Sequence, residues 1–245
     1  SVLFMPDTII KPGPLKVAYK AFGDIKRGMP MSDNSIINEN SYNLTPMLYD
    51  IRGFFILTFA YRNTLSSQVK FFAENLKGKH LECAIGTGTF TQICIKHARK
   101  KLKGQEFSLV GVDYSKALMG GAKKKLKGAE LAIEDLRNMT YEDETFDTAN
   151  LPNGYHTIGG IDEAMHEIVR VLKTGGTLYM NVLLYPGEGF MNSLSTKVND
   201  YGQSIGILNR PYTREEVLES LPKFGLRLDE EQTVQNCIFL KTTKI

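Results

Sequence analysis

Apolar positions begin to recur in a regular way at about Pro46. Up to Leu76 they fall at helical spacing (Met47, Leu48, Ile51, Phe54, Phe55, then Val69, Phe71, Phe72, Leu76), which predicts two or three helices closed by Gly78. From Lys79 short apolar runs alternate with amphipathic stretches. Strands are expected at Leu81–Ile85 and Phe107–Val112, helices at Thr89–Ala98 and Ser115–Leu126. Further strands follow near Leu131–Ile133 and Phe146–Leu151, then a helix at Ile161–Leu172 that aligns Ile161, Met165, Ile168 and Leu172 on one face. After Thr174-Gly175-Gly176 come a strand at Thr177–Leu184, a helix near Thr213–Leu221, and two strands, Leu226–Glu231 and Asn236–Thr243, close enough to form a hairpin. A strand–helix–strand rhythm of this kind builds a parallel sheet covered by helices.

The ends of the pattern define the rest. Residues 1–45 carry Lys11-Pro12-Gly13-Pro14, Gly28-Met29-Pro30 and a polar run, punctuation without periodicity, and read as an irregular arm. Residues 46–77 read as a helical cap and 78–245 as the main domain, with 185–212, rich in Gly, Asn and Ser, as a lid or partly helical insertion. A length of 245 residues suits one large domain. The net charge of +3 gives no electrostatic case for an obligate nucleic-acid binder. Cys83, Cys94 and Cys237 lack disulfide-framework or metal spacing, so reduced thiols, a cytoplasmic setting and no metal are expected. No apolar run approaches the roughly 18 residues that span a bilayer.

The chemistry concentrates where the first parallel strand ends, in Glu82-Cys83-Ala84-Ile85-Gly86-Thr87-Gly88-Thr89. Glycines there let backbone approach a ligand, and the following helix offers free N–H groups. The third glycine of a dinucleotide fingerprint is replaced by Thr91, and Glu82 upstream would repel a pyrophosphate but suit a cation. Asp113 closes the next strand, where a carboxylate takes a ribose diol. A nucleoside that also carries a positive charge describes S-adenosylmethionine.

With these residues in hand, the chain resembles class I S-adenosylmethionine-dependent methyltransferases of the ubiquinone/menaquinone-biosynthesis type. The glycine motif corresponds to Glu82–Gly88, the ribose acid to Asp113, the adenine-edge pair to Asp135-Leu136, and the Glu-x-x-Arg-Val-Leu-Lys-Pro-Gly-Gly signature to Glu167–Gly176. Ala84 stands where the first glycine is usual and Thr174 where proline is usual. The resemblance implies a Rossmann-like, doubly wound α/β fold: a seven-stranded sheet of order 3-2-1-4-5-7-6 with strand 7 antiparallel, beneath an N-terminal helical cap. It also implies that S-adenosylmethionine is used and S-adenosylhomocysteine released.

In that frame the backbone of Gly86 and Gly88 faces the methionine part and Glu82 holds its ammonium group. Asp113 accepts the ribose hydroxyls, Tyr114 lies along adenine, and Asp135 with the Leu136 amide reads its edge. Ala84, Thr87, Asn150 and, from the cap, Tyr49 complete the expected cofactor set. The reaction face is expected at Asn150–His156, with His156, beside Tyr155, as the candidate catalytic base. The expected acceptor is a small, partly apolar molecule. An RNA or protein substrate is the alternative, but Asn150-Leu151-Pro152-Asn153 lacks the aromatic residue on which a flipped base would stack. A module that binds the cofactor without turnover is the other. The basic runs Lys96–Lys103 and Lys123–Lys127 fall at helix C-termini, which favour lysine, and are expected opposite the cofactor face.

Overall fold

A computed structural model of the chain describes residues 60–101 and 106–245, preceded by Gly53, Ile56 and Phe59. The expected irregular arm, the start of the cap, Tyr49, Phe54, Phe55 and the end of the first basic run lie outside the described residues.

Among the described residues, seven strands alternate with helices in chain order. Helix α1 (Leu65–Ala73) leads into β1 (Gly78–Cys83), α2 (Thr89–Lys101), β2 (Phe107–Asp113), α3 (Lys116–Lys125) and β3 (Glu130–Ile133). Then come β4 (Phe146–Leu151), α4 (Ile161–Val171), β5 (Leu172–Leu183), α5 (Phe190–Ser204), α6 (Arg214–Ser220), β6 (Leu226–Val234) and β7 (Cys237–Lys244). The sheet order is β3-β2-β1-β4-β5-β7-β6. The first five strands pair in parallel, and β7 runs antiparallel to both β5 and β6. This is the architecture that the resemblance implied.

Burial explains why these segments take these forms. His80 to Cys83 are buried without alternation, as expected of a central strand covered on both faces. On one face α4 places Met165, Ile168 and Val169 against Leu81, Phe146, Met180 and Leu240. On the other, Phe72 and Leu76 join Cys94 of α2 and Phe239 of β7. Caps end the exposed helices: the Ser115 hydroxyl accepts the Leu118 N–H at the start of α3, and Thr213 and Glu216 form a reciprocal capping box on α6.

Element boundaries shift from the sequence expectation for local reasons. Strand β1 stops at Cys83 rather than Ile85 because Ala84 turns into the left-handed region at φ 52°. Strand β5 begins at Leu172, paired with Phe146, loops out through Lys173–Gly176, and rejoins β4 with Thr177 opposite Thr148. A Cβ on Gly176 would stand 2.7 Å from the Lys173 carbonyl oxygen and 2.9 Å from that of Asp147, so only glycine fits this loop. Thr174 replaces the usual proline with two used donors, since its N–H and hydroxyl both bond Glu144, at 3.3 and 2.7 Å. The Glu-x-x-Arg pair staples α4 to the loop before β4: Arg170 forks onto Glu167 and donates to the Tyr141 and Met139 carbonyls, while Glu167 accepts the Met139 N–H. The stretch 185–212 is helical over α5.

Candidate functional site

Between β1 and α2 the chain passes Ala84, Gly86 and Gly88, at φ 52°, 56° and 71°. Glycine adopts these angles freely, whereas the Ala84 methyl costs about 1–2 kcal/mol there. A Cβ on Gly88 would lie 2.8 Å from Leu126 Cδ1 and 3.1 Å from Ala122 Cα, so this glycine lets α2 and α3 meet. Asp113, at the end of β2, fastens the turn: its Oδ2 accepts the Gly86 N–H at 2.7 Å and its Oδ1 the Ser115 N–H at 2.8 Å. Burial pushes the Asp113 carboxyl up and the two amides pull it back. Lys125, expected on the opposite side, instead reaches this turn, donating to the Thr89 hydroxyl at 2.5 Å and the Thr87 carbonyl at 3.3 Å. The cause is the close approach of α3 to Gly88.

The turn opens onto a cavity of about 400 Å³ at the carboxyl ends of the strands, within the usual size of a small-molecule site. Ala84, Gly86, Thr87, Asp113, Tyr114, Asp135 and Leu136, all expected, lie on its wall. So do Thr89, Thr91, Ser115, Asn153 and Thr157, which were not assigned to the site individually. Ile56, Leu65, Ile93, Ile158 and Ile207 make another part of the wall apolar. Ile207 follows α5, so the 185–212 segment contributes to the cavity. The charged residues on the described wall are Asp113, Glu134 and Asp135; no lysine, arginine or histidine is among its described residues. Asp135 is held by Arg137, whose Nε and Nη2 meet its oxygens at 3.0 and 2.7 Å. That pairing keeps its carboxyl below the usual carboxylate range.

Other expected residues sit behind the wall. Glu82 is 1% exposed; His80 Nε2 stands 3.0 Å from its Oε2, the Asn150 amide donates to the same oxygen, and the Thr91 hydroxyl donates to Oε1. The Thr148 hydroxyl donates to the Lys77 carbonyl, so His80 Nδ1–H donates to Thr148, and His80 Nε2 faces Glu82. Glu82 therefore touches the cavity through Thr91. Asn150 is fully buried, bonded to Glu82, Asn75 and the Phe72 carbonyl.

His156 is also turned into the core. Its Nδ1 accepts the Leu183 N–H at 3.1 Å, so the ring proton resides on Nε2, facing the Tyr61 hydroxyl. Burial pushes its pKa down to about 3. A neutral ring with its lone pair already engaged has none to offer an acceptor. Tyr155 packs edge-on against Tyr212 and meets Ser220 through its hydroxyl, again away from the cavity. Tyr61, by contrast, is on the wall.

Residues 81–180 match the family model described as "Methyltransferase domain". That segment is similar to a methyltransferase domain, and the strand order above is a Rossmann-like, doubly wound sheet. Among curated proteins, the demethylmenaquinone methyltransferase of Thermotoga maritima is 30% identical over 108 residues, 44% of this chain and 44% of that protein. The ubiquinone/menaquinone biosynthesis C-methyltransferase UbiE of Rickettsia prowazekii is 28% identical over 109 residues, 42% and 43% of the two chains. The chain thus matches less than half the length of these curated relatives. Among solved structures, a SAM-dependent methyltransferase, possible histamine N-methyltransferase, of Thermotoga maritima superposes with a TM-score of 0.59 at 19% identity, covering 80% of this chain and 97% of that one. The [4+2]-cyclase SpnF superposes with a TM-score of 0.57 at 18% identity over 73% and 80% of the two chains.

Proposed function

We propose that this chain transfers a methyl group from S-adenosylmethionine to a small-molecule acceptor of the quinone type. The observation that carries the proposal is the cavity wall: three carboxylates and no cation among its described residues, at the strand ends, with the nearest acid tied to the glycine turn. Such a wall favours a cationic nucleoside and disfavours a pyrophosphate. The relatives' names supply the acceptor class, and the isoleucines and leucine on the wall suit a partly apolar molecule.

The residues present fit S-adenosylmethionine. Each Asp113 oxygen holds one backbone N–H and keeps a lone pair for a ribose hydroxyl. Tyr114, Asp135 and Leu136 line the same cavity, where Tyr114 would lie along the adenine and Asp135 with the Leu136 N–H would read its edge. Glu82 acts through Thr91, by holding that hydroxyl, rather than by gripping the ammonium group. When bound, S-adenosylmethionine would supply the methyl group from its sulfonium to the acceptor, leaving S-adenosylhomocysteine and a proton released to solvent. The chain's part is to hold the two molecules in line, a contribution worth roughly 7–11 kcal/mol without a protein base. His156 and Tyr155 support the wall from behind. We place the enzyme in the cytoplasm, where its three buried, unpaired thiols remain reduced.

Calorimetric titration with S-adenosylmethionine, S-adenosylhomocysteine and NADH tests the reading. The first two bind and NADH does not. Asp113→Ala weakens cofactor binding by about 1.5–3 kcal/mol, the value of a charge-assisted contact. Binding of NADH in preference, or unchanged affinity in the variant, overturns the assignment.

A further inference from the structure

Asn153 stands on the cavity wall and is partly exposed, while both of its side-chain partners, Asn181 and Gln68, are fully buried. Its orientation is fixed from behind. The backbone N–H of Asn153 can only donate, and it does so to Asn181 at 2.7 Å, which makes that atom the amide oxygen. The Asn181 nitrogen then donates to Asn153 Oδ1, also at 2.7 Å. With its oxygen committed, Asn153 carries its nitrogen on the other side, where one N–H donates to the Gln68 oxygen at 3.3 Å. Asparagine tolerates the left-handed backbone angle found here, φ 55°, better than most side chains do.

An amide nitrogen has two N–H bonds, and they diverge. The one on Gln68 points into the interior. The other has no partner among the described residues, and it belongs to the one member of the trio that reaches the wall. The order of the sheet says what it meets there. Asp135 follows β3, Asp113 closes β2, the glycine turn follows β1 and Asn153 follows β4, in that sequence across the sheet. A nucleoside held by the two aspartates therefore directs its sulfonium past the glycine turn toward β4. A Cβ on Gly154 would lie 3.6 Å from the Ala84 Cβ, so Asn153 and Gly154 adjoin the glycine turn. The acids of the wall are on the β2 and β3 side; around Asn153 its described residues are uncharged, with Leu65, Ile158 and Ile207 among them.

We propose that the second N–H of the Asn153 amide binds an oxygen of the methyl acceptor. The subsite takes a group that receives a hydrogen bond, such as a carbonyl or ether oxygen, set in an otherwise apolar and uncharged part of the wall. This rests on the methyltransferase reading above and specifies its acceptor: an uncharged, largely apolar molecule with an oxygen near the atom to be methylated. Asn153 is a binding residue. Asn181 is a positioning residue, because its grip on both the backbone and the side-chain oxygen of Asn153 decides which end of the amide is presented.

The test compares two probes on the 245-residue chain with S-adenosylhomocysteine present: 1-tetralone, whose oxygen only accepts, and tetralin, the same ring system without it. Asn153→Gly keeps the backbone angle and the N–H on Asn181 but removes the amide. In that variant the affinity for the ketone falls about tenfold relative to that for the hydrocarbon, as expected for one lost hydrogen bond. Asn153→Asp puts an oxygen where the nitrogen was, and the Gln68 nitrogen, which has no partner in the wild-type fold, can turn to donate to it. There the ketone is lost while 1-naphthylamine, which can donate, gains affinity over wild type. Gln68→Met leaves the probe ratio as in wild type, because Asn181 alone sets the orientation of the Asn153 amide. A flat ratio in Asn153→Gly, or an equal fall in Gln68→Met, overturns the proposal. S-adenosylhomocysteine affinity, measured in the same samples, separates the outcomes. If it does not bind to the wild-type chain, the methyltransferase reading fails; if it binds and the ratio is flat, only the oxygen subsite fails.

Discussion

His156 shows how far the setting of one residue can move its chemistry. A histidine in a loop after the fourth strand reads from sequence as a base near neutral pH. In the fold its Nδ1 is spent on Leu183 and its Nε2 faces Tyr61, at 1% exposure. With its folded pKa depressed to about 3, the unfolded chain binds a proton that the folded one does not at any pH between about 3 and the usual histidine value near 6.5. Stability contributed by this site is therefore complete above about pH 6.5 and declines as pH falls, by about 1.4 kcal/mol per unit. Urea unfolding at pH 7 and pH 5 will show a loss of about 2 kcal/mol from this residue. In His156→Asn, whose side-chain oxygen can still accept the Leu183 N–H, that part of the slope disappears. An unchanged slope would mean that the ring is protonated in the fold. Ala84 is the opposite case: its type and position were legible, while the left-handed angle that strains it follows only from the path between β1 and α2.

Among the elements, the meeting of α2 and α3 is the contact on which the cofactor turn depends. Gly88 permits it, and a methyl group there faces both Leu126 Cδ1 and the backbone of Ala122 while adopting φ 71°. Gly88→Ala combines the left-handed penalty with overpacking and will destabilise the protein by about 2 kcal/mol or more, read as a lower urea midpoint. Because the Thr87 carbonyl and Thr89 hydroxyl are held by Lys125 across the same contact, cofactor affinity will fall with it. A midpoint equal to wild type would show that the helices part easily. Most elements were legible, since parallel strands buried on two faces read as short apolar runs and their helices as amphipathic stretches. The boundaries at Cys83 and Leu172 were not, because they are set by a backbone angle and by a pairing with Phe146.

For the molecule as a whole, the fold alone leaves the reaction open: the same architecture superposes on a methyltransferase and on a cyclase. What narrows the choice is the charge on the wall. A ligand that binds only the folded state stabilises it by mass action, so S-adenosylmethionine at one hundred times its dissociation constant will raise the unfolding free energy by about 2.7 kcal/mol. NADH at equal concentration will leave it unchanged. Equal shifts from both would return the site to the dinucleotide reading. The alternation of strands and helices, the glycine turn and the acids at Asp113 and Asp135 were determined by the sequence itself, because local periodicity, backbone freedom and residue type act over a few positions. Which of the polar residues face the cavity was decided only by the tertiary structure. Glu82, Asn150 and His156 are taken up by partners from other elements, and Gln68, Asn153 and Asn181 meet across 85 and 28 residues of chain. Hydrogen-bond partners brought together by folding leave no mark in the local sequence pattern.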